Sequence, residues 1–113
     1  MATIYGIKTC NSVRKALKFF KDNNIEHNYI DFRKDGLESD KVDYFASKCD
    51  VNLLFNNRGS KYKDLKLKEL NLDESGKVEW LKKEPLLFKR PVIEFDDKVI
   101  CAFDEERYKE LFL

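Results

Sequence analysis

The N-terminal third of the chain has the hydrophobic pattern of a strand, a helix and a second strand, and this unit limits the fold more than any other feature. A strand-like run from Thr3 to Ile7 leads into a helical pattern from about Asn11 to Asn23, and Tyr29 to Phe32 suits another strand. The helix is indicated by apolar residues at helical spacing: Val13, Ala16, Leu17 and Phe20. The length and order are those of a β-α-β unit.

The rest of the chain reads as a helical insert, a hairpin and a last helix. From Ser39 to about Pro85 the pattern is helical and charged. Val92 to Phe95 and Val99 to Ala102 then suit two strands joined by a tight turn, and Asp104 is expected to cap a final helix. The order β-α-β, helical insert, β-β-α matches an α/β, thioredoxin-like fold with a mixed sheet. We therefore predict a single domain over residues 1–113 that contains this insert.

Charge and hydropathy exclude several classes of function. Lys plus Arg number 22 against 21 Asp plus Glu, so the formal net charge of +1 offers no global field for nucleic acid. No apolar stretch approaches the ~18 residues of a membrane span, so we expect a soluble protein without a membrane partner. His27 is the only histidine, which supports no histidine metal cluster.

Cysteine usage predicts a reducing compartment. The chain has three cysteines at wide spacing, which do not make a disulfide framework. Met1-Ala2-Thr3 lacks the charged and apolar regions of a signal peptide. We therefore expect a cytoplasmic protein.

Cys10 is distinguished by its position between the first strand and the first helix. A thiol at a helix N-terminus meets unpaired N–H groups and the positive end of the helix dipole, which favour a thiolate and supply donors to an anion. The plain alternative is a buried cysteine that packs as a small hydrophobe. That alternative suits Cys49, on the apolar stripe of the next helix, and Cys101, in a short apolar strand.

Four segments of the chain resemble the arsenate reductase (ArsC)/Spx family. They are Tyr5 to Ala16, Asp31 to Gly36, Asn57-Arg58-Gly59 and Phe88 to Val92. They occur in the right order and cover essentially the whole chain, so together they are far more specific than one motif. The short length and the Lys-Arg-Pro-Val segment look most like a branch proposed to act as glutathione-dependent thiol reductases.

The resemblance implies that Cys10 is the nucleophile of an oxidoreductase. The other expected site residues are Arg58 and Arg90 to grip a substrate oxyanion, Asn11 and Ser12 to bind the anion at the helix N-terminus, and Pro91 as a cis-proline beside the thiol. Forked guanidinium donors suit both a thiolate and a tetrahedral oxyanion. Without the resemblance, Arg58 would be interpreted as a surface arginine and Arg90 as one partner of an ion pair.

Two positions depart from the family's pattern. Phe103 stands where the arsenate reductases that depend on glutathione and glutaredoxin carry a third arginine. We therefore expect arsenate to be a poor substrate, and an arginine at that position to strengthen its binding tenfold to a hundredfold, from about 1.5 to 3 kcal/mol for one charge-assisted bond. Val13 replaces the second cysteine of the Cys-x-x-Cys switch of Spx regulators, so that switch cannot form.

We expect the Cys10 thiolate to attack an oxyanion such as arsenate or a glutathione mixed disulfide. Glutathione is the expected co-substrate and glutaredoxin a downstream partner, because Cys49 and Cys101 are expected to be buried in other elements. We expect no metal and no tightly bound cofactor. Two alternatives stay open: an Spx-like regulator that binds RNA polymerase without the Cys-x-x-Cys switch, and a degenerate thioredoxin-fold interaction module in which Cys10 is inert.

Overall fold

The computed structural model describes all residues from Met1 to Leu113 and contains a four-stranded mixed sheet. The strands are β1 (Ala2–Gly6), β2 (His27–Asp31), β3 (Val92–Phe95) and β4 (Lys98–Cys101), in the spatial order β2-β1-β3-β4. β1 pairs in parallel with β2, and β3 is antiparallel to both β1 and β4. The predicted thioredoxin-like fold with a mixed sheet is confirmed.

Six α-helices cover the two faces of this sheet. They are α1 (Asn11–Asp22), α2 (Ser39–Lys48), α3 (Val51–Leu54), α4 (Ser60–Asp64), α5 (Glu74–Lys83) and α6 (Glu105–Phe112), with short 3-10 turns at Leu67–Leu70 and Pro85–Leu87. A membrane crossing would need a longer and more apolar helix than any of these. α1 and α6 pack on one face, and most of the helical insert packs on the other.

The local signals in the sequence place most of these boundaries within one or two residues. The turn between β3 and β4 has Asp96 and Asp97 at φ angles of 44° and 59°, the left-handed conformation that a tight hairpin turn requires. Asp104 caps α6 as predicted, because its side chain accepts a hydrogen bond of 3.2 Å from the backbone N–H of Arg107. Asp73 caps α5 in the same way through Gly76.

Two hydrophobic clusters hold the layers together, one on each face of the sheet. Alternate residues of β1 supply both, since Ile4 belongs to the cluster under α1 and α6 whereas Tyr5 belongs to the cluster under the insert. The cluster under α1 and α6 is largely aromatic, with Phe19 and Phe20 of α1 in edge contact with Tyr108 of α6. Successive side chains of β1 therefore pack against different helical layers.

Gly6, the last residue of β1, allows α1 to pack closely on the strand. A Cβ at this position would lie 2.5 Å from Cγ2 of Val13, a side chain that is completely buried. The close contact fixes the first turn of α1, and therefore Cys10, against the end of the strand.

We predict that Gly6→Ala lowers the free energy of unfolding by about 1–3 kcal/mol, because the added methyl group overpacks this contact. The double variant Gly6→Ala/Val13→Ala removes the overlap and should be less destabilised than the sum of the two single variants. Urea unfolding of the four proteins measures the coupling. Strictly additive costs would show that the two side chains do not compete for the same space.

Candidate active site

Two of the sequence-predicted site segments, Cys10 and Arg90–Pro91, lie at one end of the sheet. β1 and β2 are parallel and both finish at this end, and the antiparallel β3 begins there, because Tyr5 pairs with Val92. Cys10 follows β1, and the Arg90–Pro91 segment precedes β3. The topology alone therefore brings these two segments to the same end of the sheet.

Cys10 is the N-cap residue of α1. Its backbone is extended, its thiol is half-buried, and no side chain caps the helix. Its N–H donates to the carbonyl of Ile7 at 3.2 Å, which turns the chain from the strand into the helix. The first turn contains no acidic residue, so the N–H groups at Asn11 and Ser12 face no competing side-chain anion. The helix N-terminus can therefore donate to a thiolate or to a bound anion.

Arg90 is held by the backbone rather than by a carboxylate. The Arg90–Pro91 peptide bond is cis, as the resemblance implies. Nη1 of the half-buried Arg90 donates to the carbonyl of Leu86 at 2.9 Å, and the carbonyl of Pro91 accepts from the N–H of Ala102 at 2.9 Å. The salt bridges of the structure do not include Arg90. Its remaining donors are therefore available to a ligand.

Arg90 lines a cavity of about 280 Å³ that also contains Arg33, a residue that the sequence analysis did not single out. The other lining residues are Ile7, Asn56, Gly59, Ser60, Lys61, Tyr62, Asp64 and Leu86. Three cationic side chains against one carboxylate make the cavity suitable for an anion. Cys10 does not line the cavity itself. Its backbone N–H donates to the carbonyl of Ile7, and Ile7 is one of the lining residues.

Asp31, the last residue of β2, shapes the loop that presents Arg33. One carboxylate oxygen accepts hydrogen bonds from the backbone N–H groups of Arg33 at 2.8 Å and Lys34 at 3.1 Å. Burial alone would raise the pKa of Asp31, but these two backbone bonds hold its pKa below the usual value. The one available sequence signal for Arg33 was its place in the segment from Asp31 to Gly36.

Arg58 lies apart from Arg90. It is exposed and lines a neighbouring cavity with other cationic side chains: Lys63, Lys66 and Lys68. The two cavities share Tyr62 and are otherwise lined by different residues. Arg90 and Arg33 therefore line the same cavity, and Arg58 does not line it.

Phe103 does not face the cavity of Arg33 and Arg90. Its ring packs edge-on against Tyr108 at 5.1 Å between centroids, and it lines a groove between α1 and α6. To reach the cavity, an arginine side chain at this position would have to point in a different direction from the Phe103 ring, which packs against Tyr108. The tenfold to hundredfold gain in arsenate binding expected from the sequence therefore does not follow from the structure.

Cys49 and Cys101 are half-buried rather than fully enclosed, which corrects the expectation from their apolar neighbours. Cys49 lies just beyond the end of α2, and Cys101 is the last residue of β4. Burial raises the pKa of the Cys49 thiol, and it raises the pKa of the Cys101 thiol to about 11. No group of three or more histidine, cysteine or carboxylate side chains is arranged to hold a metal ion.

The fold and this arrangement define a thioredoxin-like protein with a cysteine at a helix N-terminus and a cis-proline immediately before the neighbouring strand β3. The chain belongs to the ArsC family, whose sequence model matches residues 5–111. Membership in this family supports a thiol-based reductase as the general class of activity.

The chain is similar to several other proteins over most of its length. An uncharacterized protein of Haemophilus influenzae is 37% identical over 113 residues, which cover 99% of each chain. The solution structure of an arsenate reductase (ArsC) related protein from Brucella melitensis is 31% identical, with a TM-score of 0.77 over 98% of this chain and 93% of that chain. The global transcriptional regulator Spx 2 of Lactococcus lactis is 24% identical over 96% of this chain and 84% of its own length.

We predict that Cys10 is alkylated faster than the other two thiols in the folded protein at pH 8. Cys101 should be slowest, and its rate should rise about tenfold per pH unit toward pH 11, because only the thiolate reacts. Peptide mapping after timed labelling with iodoacetamide measures all three rates, and the urea-unfolded chain gives the reference. Faster labelling of Cys49 or Cys101 would remove Cys10 from its assigned role.

Proposed function

We propose that this protein is a cytoplasmic, glutathione-dependent thiol oxidoreductase in which Cys10 is the nucleophile. The observation that carries the proposal is the uncapped N-terminus of α1 at Cys10, beside a cavity that contains two arginines. A thiol at the dipole's positive end reacts as a thiolate, and the arginines attract an anionic substrate to it. Neither feature needs a metal or a tightly bound cofactor.

With a glutathione mixed disulfide as substrate, the Cys10 thiolate attacks the glutathione sulfur. A bond forms between Sγ of Cys10 and that sulfur, the original S–S bond breaks, and the substrate leaves as a thiolate that takes up a proton. A second glutathione thiolate then attacks the adduct, which releases glutathione disulfide and regenerates Cys10. Glutaredoxin is a proposed partner for this second step.

The cationic cavity suits the carboxylates of glutathione. Arg33 and Arg90 offer planar forks that match a carboxylate, and Lys61, whose Nζ lies 3.9 Å from a carboxylate oxygen of Glu84, lines the same cavity. Arsenate would be attracted by the same donors. Sγ of Cys10 would bond to arsenic while one oxygen leaves as water; an external thiolate would then attack Sγ, so that the S–As bond breaks, arsenite leaves, and a mixed disulfide on Cys10 remains for a second thiol to reduce. We propose arsenate as the poorer substrate, because Phe103 packs against Tyr108 and adds no donor.

The second candidate function is that of an Spx-like regulator that binds RNA polymerase. Its support is the similarity to the Lactococcus lactis Spx protein over nearly the whole chain. Val13 occupies the position of the missing switch cysteine and is completely buried, so this regulator would have no thiol switch there. Capture of purified RNA polymerase that is unaffected by Cys10→Ser would favour it over the oxidoreductase.

We predict that Cys10→Ser abolishes reduction of a glutathionylated peptide, since serine cannot form the mixed disulfide. Cys49→Ala and Cys101→Ala should retain most of the turnover with glutathione and glutaredoxin, because the proposed second thiol is external. Peptide thiol release measures the rates, and circular dichroism confirms the fold of each variant. Loss of turnover in a folded Cys49→Ala or Cys101→Ala protein would instead identify an internal resolving cysteine.

We predict that Arg33→Ala and Arg90→Ala each weaken substrate binding by about tenfold to a hundredfold, the equivalent of about 1.5 to 3 kcal/mol for one charged hydrogen bond. Arg58→Ala is the matched control, because it removes the same charge from the neighbouring cavity and should change KM less than threefold. Steady-state kinetics with the glutathionylated peptide separates KM from kcat. A large effect of Arg58→Ala with none of Arg33→Ala would favour the family-based assignment of the anion site over the one drawn from the cavity.

A further inference from the structure

We propose that three lysines of the helical insert, Lys63, Lys66 and Lys68, bind acidic residues that flank the glutathionylated cysteine of a protein substrate. We call these three residues the lysine surface. Such substrates require the function proposed for Cys10, on which this inference rests, and the lysine surface selects among them by charge.

The lysine surface lines a cavity of about 600 Å³ in which positive charge is largely uncompensated. All three lysines are exposed, and Arg58 adds a fourth cation to the lining. Glu69 is the only carboxylate among the lining residues. The salt bridges of the protein include none of these four cations and do not include Glu69. A local positive field therefore exists here, although the whole chain has a formal net charge of only +1.

The backbone that carries these lysines is held by packing on both sides. Lys63 belongs to α4, and Lys68 belongs to the following 3-10 turn Leu67–Leu70. Leu67 is completely buried, and the ring of Tyr62 packs edge-on against Phe55 with 5.9 Å between the ring centroids. A bound partner therefore has to order only the lysine side chains, which lowers the entropic cost of binding.

Lys66 adopts a left-handed backbone conformation, with a φ angle of 55°. Glycine adopts this conformation without the steric cost that a Cβ brings. A lysine here therefore keeps a positive charge in the cavity at a conformational cost, and residues of this kind concentrate at functional sites. Lys66→Gly removes the charge and suits the backbone, so this variant is expected to keep the fold.

The lysine surface adjoins the cavity that is proposed to bind glutathione. Tyr62 lines both cavities, and α4 runs between them, since Lys61 lines the cavity of Arg33 and Arg90 whereas Lys63 lines the other. α4 has five residues and is about 7.5 Å long. An extended peptide advances about 3.3 Å per residue. A substrate whose glutathione occupies the first cavity can therefore reach the second within a few residues.

The surroundings favour an acidic protein segment over a nucleic acid as the partner. A single-stranded nucleic acid follows a continuous track of cations with aromatic rings free to stack on its bases. The lysine surface is confined to one cavity, whose aromatic residue, Tyr62, already packs against Phe55. Leu65 and Leu70, which are 39% and 54% exposed, lie in the same segment and suit apolar residues of a protein partner.

The kinetic test compares two glutathionylated peptides that differ only in the residues around the cysteine, which are glutamates in one and glutamines in the other. We expect kcat/KM of the wild-type protein to be about tenfold higher for the glutamate peptide, because two or three exposed ion pairs each contribute a few-fold. Sodium chloride should reduce this preference by screening. The glutamine peptide does not use the lysine surface, so the small effect expected of Arg58→Ala on KM applies to that peptide.

Charge reversal locates the preference on the protein. Lys63→Glu/Lys66→Glu should abolish the preference for the glutamate peptide, and Lys66→Gly should reduce it about threefold. Lys21→Glu/Lys98→Glu is the matched control, because it changes the net charge equally at the opposite end of the sheet, where α1 ends and β4 begins. An equal loss in this control would assign the preference to net charge and overturn the proposal.

A binding measurement separates the lysine surface from the chemistry of Cys10. Cys10→Ser is titrated into fluorescein-labelled forms of the two peptides with serine in place of cysteine, and into a labelled single-stranded oligonucleotide. Fluorescence anisotropy should show about tenfold tighter binding of the glutamate peptide than of the glutamine peptide. Adding Lys63→Glu/Lys66→Glu should remove that difference.

The two measurements fail in different ways. Equal binding and equal kcat/KM for the two peptides would overturn the lysine surface and leave the function of Cys10 intact. Tighter binding of the oligonucleotide than of the glutamate peptide would also overturn it. Preferential binding of the glutamate peptide without reduction of either glutathionylated peptide would instead contradict the function proposed for Cys10, and the role in substrate selection with it.

Discussion

β1 pairs with β2 on one side and with β3 on the other, and these two pairings position every segment of the candidate active site. Tyr5 lies in register with Ile30 of β2 and with Val92 of β3, so the ends of three strands are fixed relative to one another. The segments that carry Cys10, Arg33 and Arg90 all adjoin the sheet at this end. Gly6 then allows α1 to approach the strand closely enough to place Cys10 beside the cavity of Arg33 and Arg90.

Local sequence signals were sufficient where the structure is determined locally. The apolar spacing of α1 and the caps of α5 and α6 act within a few residues, and so does the left-handed turn at Asp96 and Asp97. The strand-to-helix position of Cys10 follows from the same patterns. The predictions were weaker where burial depends on distant residues, and the half-buried states of Cys49 and Cys101 are the main example.

The grouping of the arginines could not be predicted from the sequence, because it depends on how the insert folds over the sheet. The backbone of Asn56 bonds to Leu87, and that of Lys89 bonds to Leu54, which places the loop after α3 beside the segment that carries Arg90. Arg33 and Arg58 are both exposed, but Arg33 lies on the loop that Asp31 holds through backbone hydrogen bonds and lines the cavity of Arg90, whereas Arg58 lines the neighbouring one. The direction in which Phe103 points is similarly decided by Tyr108 on a later helix.

In the proposed mechanism Cys10 accepts glutathione from a mixed disulfide, and a single-turnover experiment can observe this transfer. Reduced wild-type protein is mixed with an equal amount of a glutathionylated peptide and no free glutathione, then quenched and mapped by mass spectrometry. Glutathione should appear on Cys10 while the peptide thiol is released in equal amount. Absence of transfer, or transfer to Cys49 or Cys101 with Cys10 unmodified, would contradict it.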